Sequence, residues 1–189
     1  MLLLRTGRFN FSRCYAAGAE FLKNVPLTKR DGEIVKVDDL KNKAIILYFS
    51  SGWCGHCRLF TPKLKKWYDE AAKHENIELV WVSRDREAKH QIDYYNKALP
   101  NVPYIPFGDR HILEFLTKYD VKTIPAARLV NNNGEVIDQE VRNKVQVHYC
   151  FNSFRISSSQ MLFFLIKEQN IFHNANFSIR MRVKWTPES

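Results

Sequence analysis

The 189-residue chain predicts an α/β fold, a mixed central sheet with helices on both faces. Three observations carry this. Ala44–Phe49 is an apolar run of strand length, as expected of a strand buried on both faces, and Ile77–Ser83 reads as a second buried strand. Helix-patterned stretches lie between and after them. Ala126–Val130 and Glu135–Asp138 flank Asn131-Asn132-Asn133-Gly134, a turn signal that folds the second segment back antiparallel to the first.

The elements follow in order. Val25–Val37 reads as a hairpin about Asp31-Gly32, with Leu27-Thr28 and Ile34-Val35 as its arms. Asp38–Asn42 is a short polar turn or helical piece. The strand Ala44–Phe49 ends at Ser50-Ser51-Gly52. Leu59–Ala72 then places Phe60, Leu64, Trp67, Tyr68 and Ala71 at helical spacing. Pro62 lies inside this stretch and is expected to kink or restart the helix. Lys63, Lys65, Lys66 and Lys73 form its solvated face. Glu87–Leu99 is a second helix, with Ile92, Tyr95 and Leu99 expected on one side. Pro100, Pro103 and Pro106 impose an extended loop that closes on Phe107. His111–Tyr119 is a further short helix bearing Ile112, Phe115 and Leu116.

Charge and cysteine usage exclude several classes of function. The net charge is +9, but residues 1–19, 20–145 and 146–189 each hold +3 of it. The long central segment is therefore close to balanced, and no basic stripe interleaved with aromatics marks a nucleic-acid surface. Four cysteines are too few for a disulfide-stapled scaffold of this length. Only Cys54 and Cys57 are close together, and zinc would need a second such pair, so no metal is expected. No apolar run is long enough to span a bilayer.

The chemistry concentrates at Trp53-Cys54-Gly55-His56-Cys57. A C-x-x-C pair between a buried strand and a helix is the setting of thiol–disulfide exchange. Cys54 would sit at the helix start, where unpaired N–H groups and the helix dipole favour a thiolate. It would attack first, and Cys57 would resolve the mixed disulfide.

These residues resemble the thioredoxin superfamily, and more narrowly its tryparedoxin/nucleoredoxin branch, from about Glu20 to about Val145. The resemblance rests on Tyr48-Phe49-Ser50, Trp53-Cys54, Cys57-Arg58, Phe60-Thr61-Pro62 with Leu64, Ile105-Pro106-Phe107 and Thr123-Ile124-Pro125. It implies a thioredoxin-like three-layer α/β/α sandwich with a mixed central sheet. It also implies a cis Pro125 that packs against the redox pair and leaves the Ile124 backbone free for substrate. Trp53 would cap the site and touch substrate. Two departures stand out. Gly55-His56 is the inner pair of protein disulfide isomerases, and the branch's usual Trp before the Pro-Phe loop is replaced by the Val102/Tyr104 region. Tyr48 argues against an isomerase, because thioredoxin and the isomerases place an acid there. Arg84 and Asp85, at a strand end, are weaker candidates for lining the site.

The function expected from this resemblance is a protein-disulfide reductase. The alternative is a nucleoredoxin-type binding protein whose partner interaction depends on the Cys54–Cys57 state. Protein disulfides would be the substrates, with thioredoxin reductase or glutathione as the reducing system, no cofactor, and a monomeric chain. His56 and Arg58 are expected to favour the Cys54 thiolate. They would place the potential between about −270 mV and about −180 mV, the values of thioredoxin and disulfide isomerase.

The ends differ from the centre. Residues 1–19 form a basic extension without acids, whose alternative reading is a mitochondrial presequence. Met1–Leu4, cut off by Arg5, is too short for a secretory apolar region. With the Pro187-Glu188-Ser189 end, this gives an expectation of a cytoplasmic and also nuclear protein, mitochondrial in the alternative. Residues 20–145 form the thioredoxin-like domain. Residues 146–189 diverge from the family, either as a substitute closing helix over Gln160–Asn170 capped by Ser159 or as an unrelated tail, partly helical or disordered.

Overall fold

The sheet is built around β1 (Ala44–Ser50). In the computed structural model, which describes residues 19–71 and 76–151, β1 is followed by α1 (Gly55–Ala71), β2 (Ile77–Ser83), α2 (Ala88–Ala98) and α3 (Arg110–Lys118). The chain then forms β3 (Ala126–Val130), β4 (Val136–Asp138) and α4 (Val141–Phe151). The strand order is β2-β1-β3-β4. β1 runs parallel to β2, with Tyr48 opposite Trp81, and antiparallel to β3, with Tyr48 opposite Ala127. β4 closes the sheet antiparallel to β3. The expected basic extension and the Gln160–Asn170 helix lie outside the described residues.

Strand alternation divides the apolar residues between two cores. Ile46, Tyr48, Leu79 and Trp81 face one side, where Phe60, Leu64 and Trp67 of α1, Tyr94 and Tyr95 of α2, and Val141 and Val145 of α4 cover them. Ile45, Leu47, Phe49, Val80 and Val82 face the other, against Phe115 and Tyr119 and the segment before β1. Helices thus cover both faces, the three-layer α/β/α arrangement expected. The predominantly apolar character of β1 and β2 follows from this burial on both sides. The charge within β2 is held in place: Glu78 accepts from Lys43 Nζ at 2.8 Å and from Tyr68 Oη at 2.7 Å.

Four expectations need refinement. The hairpin over Val25–Val37 turns where expected, with Asp31 and Gly32 both at positive φ (68° and 79°). Its ladder, however, is one bridge, Thr28 to Ile34. Thr28 also pairs, on its other edge, with Tyr104, and Tyr104 with Trp81, so the proline-rich loop joins this segment to the β2 edge. Secondly, α2 is rotated from the expected phase. Ile92 is 38% exposed, and Gln91 is buried in its stead. Its Nε2 donates to the Ile105 carbonyl at 2.9 Å. Thirdly, α1 is a single helix through Pro62 and does not restart there. Pro62 is exposed and leaves the Arg58 carbonyl without its helical donor. Finally, α4 spans the position near residue 145 where the family pattern fades, with Val141 and Val145 fully buried.

Candidate active site

Cys54 immediately precedes α1 and occupies its N-cap position. Its carbonyl accepts the first helical bond, from Arg58 N at 3.1 Å. Its Sγ accepts from Cys57 N at 3.2 Å, as a capping side chain accepts from the third helical N–H. The thiol also reaches across to the loop before β3, donating to the Ile124 carbonyl at 3.6 Å. Ile124–Pro125 is a cis peptide bond and Pro125 is buried. The strand–turn–helix and the loop before β3, far apart in sequence, therefore meet at one sulfur.

The two cysteines are not equivalent. Cys54 keeps 7% of its surface exposed, whereas Cys57 has none. Both are free thiols. Burial pushes the Cys57 thiol up to about 12, and its contact with the Cys54 sulfur adds to this; the Arg142 charge on α4 acts in the opposite direction.

Below the pair lies a chain of hydroxyls. Tyr48 Oη is 2.6 Å from Thr61 Oγ1, and Thr61 Oγ1 is 2.5 Å from Tyr94 Oη. Tyr48 has no exposed surface, and burial, followed by Tyr94, holds its phenol well above the usual range. Burial likewise lifts Tyr94 to about 12. A Cys57 thiolate would push each tyrosine up further, which places this neutral network beside the buried sulfur. Trp81 Nε1 completes it by donating to Ser50 Oγ at 2.9 Å.

The turn before Cys54 is anchored to the end of β2. Gly52 N donates to Asp85 Oδ1 at 2.9 Å, and Asp85 Oδ2 accepts from Ser83 Oγ at 2.8 Å. Trp53 Nε1 donates to the Arg84 carbonyl at 3.0 Å, and the Arg86 guanidinium lies 5.4 Å from the Trp53 ring centroid. The indole itself is 52% exposed at the mouth of the site. It borders an open cleft of about 920 Å³ between α1 and α2, where Arg58, Pro62 and Tyr94 also lie.

Sequence reasoning therefore selected residues that the fold brings together: Tyr48, Trp53, Cys54, Cys57, Ile124 and Pro125 converge. Gly55, His56 and Arg58 are exposed on the first turn of α1. At Gly55 an added Cβ would meet nothing within 4 Å, so space does not require glycine there. At Gly52 a Cβ would stand 2.9 Å from Tyr94 Cβ. Thr61, Tyr94 and the anchoring role of Asp85 were not singled out. For Thr61 the available signal was a polar residue between the buried Phe60 and Leu64. Tyr94 carried none, because its partner is 33 residues away. Among the described residues no His, Cys, Asp or Glu cluster could hold a metal ion, and no helix is long and apolar enough to cross a membrane.

Known proteins resemble this chain in sequence and fold. A thioredoxin-like family profile matches residues 42–136. A probable nucleoredoxin 1 from Arabidopsis thaliana is 37% identical over 116 residues, 60% of this chain and 19% of that protein. The chain thus spans about a fifth of that plant relative's length. A tryparedoxin from Trypanosoma brucei brucei is 34% identical over 123 residues, 63% of this chain and 82% of the tryparedoxin. The crystal structure of a thioredoxin from Wuchereria bancrofti superposes with a TM-score of 0.63 at 34% identity, covering 70% of this chain and 96% of that one. Sheet order, the C-x-x-C turn at the start of α1, the cis Ile124–Pro125 bond and these relatives agree: the chain belongs to the thioredoxin-like family, in its tryparedoxin and nucleoredoxin branch.

Proposed function

We propose that this chain is a dithiol–disulfide oxidoreductase that reduces protein disulfides through Cys54 and Cys57. The observation that carries the reading is the Cys54 sulfur, which sits at the N-cap of α1 beside the Ile124 carbonyl, with Cys57 wholly buried behind it. Cys54 attacks a substrate disulfide, forming a mixed disulfide and releasing one substrate sulfur, which takes up a proton. The Cys57 thiol, uncharged in its buried place, must then lose its proton to attack Cys54 Sγ. That attack closes Cys54–Cys57 and releases the second substrate thiol. Tyr48 stands at the position where the resemblance to thioredoxin implies an acid, and the Tyr48–Thr61–Tyr94 hydroxyls keep polar contacts next to Cys57 without adding a charge that would oppose the thiolate. Trp53 shields the sulfur and presents its ring to substrate. His56 and Arg58 tune the pair from the exposed side.

Protein disulfides are the proposed substrates. Thioredoxin reductase or glutathione is the proposed source of electrons. The test is a Cys57→Ser variant, which should hold substrates as mixed disulfides on Cys54. The parent protein should reduce insulin in the presence of a dithiol donor, and Cys54→Ser should not. A parent protein without reductase activity, whose Cys57→Ser form captures one stable partner, would favour the redox-regulated binding role and overturn the enzymatic one.

A further inference from the structure

We propose that the redox site selects disulfides flanked by carboxylates and rejects those flanked by amines; this rests on the oxidoreductase reading above. Positive charge is in excess around the redox turn. On the Trp53 side stand Arg58, Arg84 and Arg86; beside Pro125, around a small cavity of about 190 Å³, stand Lys122, Arg128 and Arg142. Among the described residues, none of these five guanidinium groups is paired with a carboxylate. Arg128 donates only to the Ala127 and Gln139 carbonyls. Arg142 Nε is shielded from water and has no acceptor.

The acids nearby offset only part of this charge: Asp120 cancels Lys122, and Asp85 and Glu140 stand against the five arginines. Asp85 turns inward, to Gly52 N and Ser83 Oγ. Asp120 is tied to Lys122 at 3.1 Å. Glu140 accepts from Asn143 Nδ2. Farther along the α1–α2 cleft the charges balance, with Lys65, Lys66 and Lys97 facing Asp69, Glu70 and Asp93. The excess is therefore local to the mouth of Cys54. Guanidinium groups without a carboxylate partner, standing on both the Trp53 and the Pro125 sides of the redox turn, match carboxylates in hydrogen-bonding geometry and charge, and they raise the encounter rate of anions over cations.

The reaction is balanced without another reagent. Two protein thiols and one disulfide give one protein disulfide and two small thiols; two electrons leave the cysteines, and each departing sulfur takes a proton. The test uses two small symmetric disulfides of opposite charge, oxidised glutathione (net negative) and cystamine (net positive). The reduced full-length chain is mixed with each, and its oxidation is timed by quenching with an alkylating reagent and mass analysis.

Oxidised glutathione should react about tenfold faster at low salt, with the ratio shrinking as salt is raised. The Arg84→Glu/Arg86→Glu double variant should bring the ratio to one or below. Arg110→Glu, on α3 and outside both walls, should leave it unchanged. Because a change in Cys54 nucleophilicity scales both rates, the ratio reports the flanking charge alone. A second pair of peptide disulfides, one flanked by glutamates and one by lysines, extends the comparison to protein substrates; a preference confined to the small pair assigns the site to a small thiol. Equal rates in the parent protein, or a ratio unmoved by the double variant, overturns the charge selection and leaves the oxidoreductase reading standing. Failure of both small disulfides to oxidise the dithiol overturns both.

Discussion

Replacing Thr61 with valine removes the centre of the buried hydroxyl chain while preserving side-chain shape. Thr61 Oγ1 stands 2.6 Å from one phenol and 2.5 Å from another, and it is fully buried. Each phenol loses a partner where no water replaces it, a cost of about 1–3 kcal/mol apiece. The Ser50 hydroxyl, which also interacts with both phenols, recovers part of this, as does the added methyl. The net expectation is a loss of about 2 kcal/mol, or roughly 8 °C in Tm for a domain of this size. Urea unfolding of the reduced protein, followed by tryptophan fluorescence, measures it. Thr61→Ser, which keeps the hydroxyl, should lose less than half as much. Tyr94→Phe combined with Thr61→Val should cost about 1 kcal/mol less than the two changes added. A Thr61→Val protein within about 0.5 kcal/mol of the parent, or strict additivity in the double variant, would refute the claim that these hydroxyls act as one network.

Three further outcomes follow from the same geometry. Gly52→Ala, whose Cβ would stand 2.9 Å from Tyr94 Cβ, should displace the redox turn and cost about 1–2 kcal/mol, read as a lower urea midpoint together with slower insulin reduction. Lys43→Met strands the buried Glu78 carboxylate with Tyr68 as its remaining partner and should cost about 2 kcal/mol by the same unfolding assay; pairing it with Glu78→Gln should restore part of the loss. Burial holds the Cys57 thiol near about 12 in the folded protein, against 9.0 ordinarily, so the unfolded chain releases this proton first as pH rises. The stability from this group is whole below about pH 9 and is lost as pH climbs towards 12. Between pH 7.5 and pH 10.5 the reduced parent should lose up to about 2 kcal/mol more than Cys57→Ala, since the raised tyrosines are common to both proteins; equal losses would sink this assignment.

The legible parts of the molecule were those whose cause is local. Ala44–Phe49 is apolar throughout, and Ile77–Ser83 nearly so apart from Glu78 and Ser83, because both faces of each strand are covered. The Asp31-Gly32 turn and the C-x-x-C at the start of α1 likewise announce themselves through neighbours in sequence. The failures involve partners brought in from afar. Gln91 takes the buried position that Ile92 was expected to hold because the Ile105 carbonyl, delivered by the proline-rich loop, satisfies its amide. Thr28, in the hairpin, also bonds through its own backbone to Tyr104, a partner that nothing near it in sequence announces. The site shows the same division. Cys54, Cys57 and Pro125 stand in recognisable motifs, whereas Thr61 and Tyr94 acquire meaning only when α1, α2 and β1 place three hydroxyls in line.

The unequal burial of the two cysteines also sets the fate of the site under oxidative attack. A peroxide arriving from solvent meets Cys54 alone, because Cys57 offers no surface. A sulfenic acid formed on Cys54 then lies against a reduced thiol that the oxidant has not reached. Condensation of the two gives a disulfide and water, which halts the climb towards the irreversible sulfinic and sulfonic acids. A lone cysteine at the same helix end would have no such exit. The arrangement that orders the steps of exchange thus also converts damage into the form that a thiol reductant can reverse.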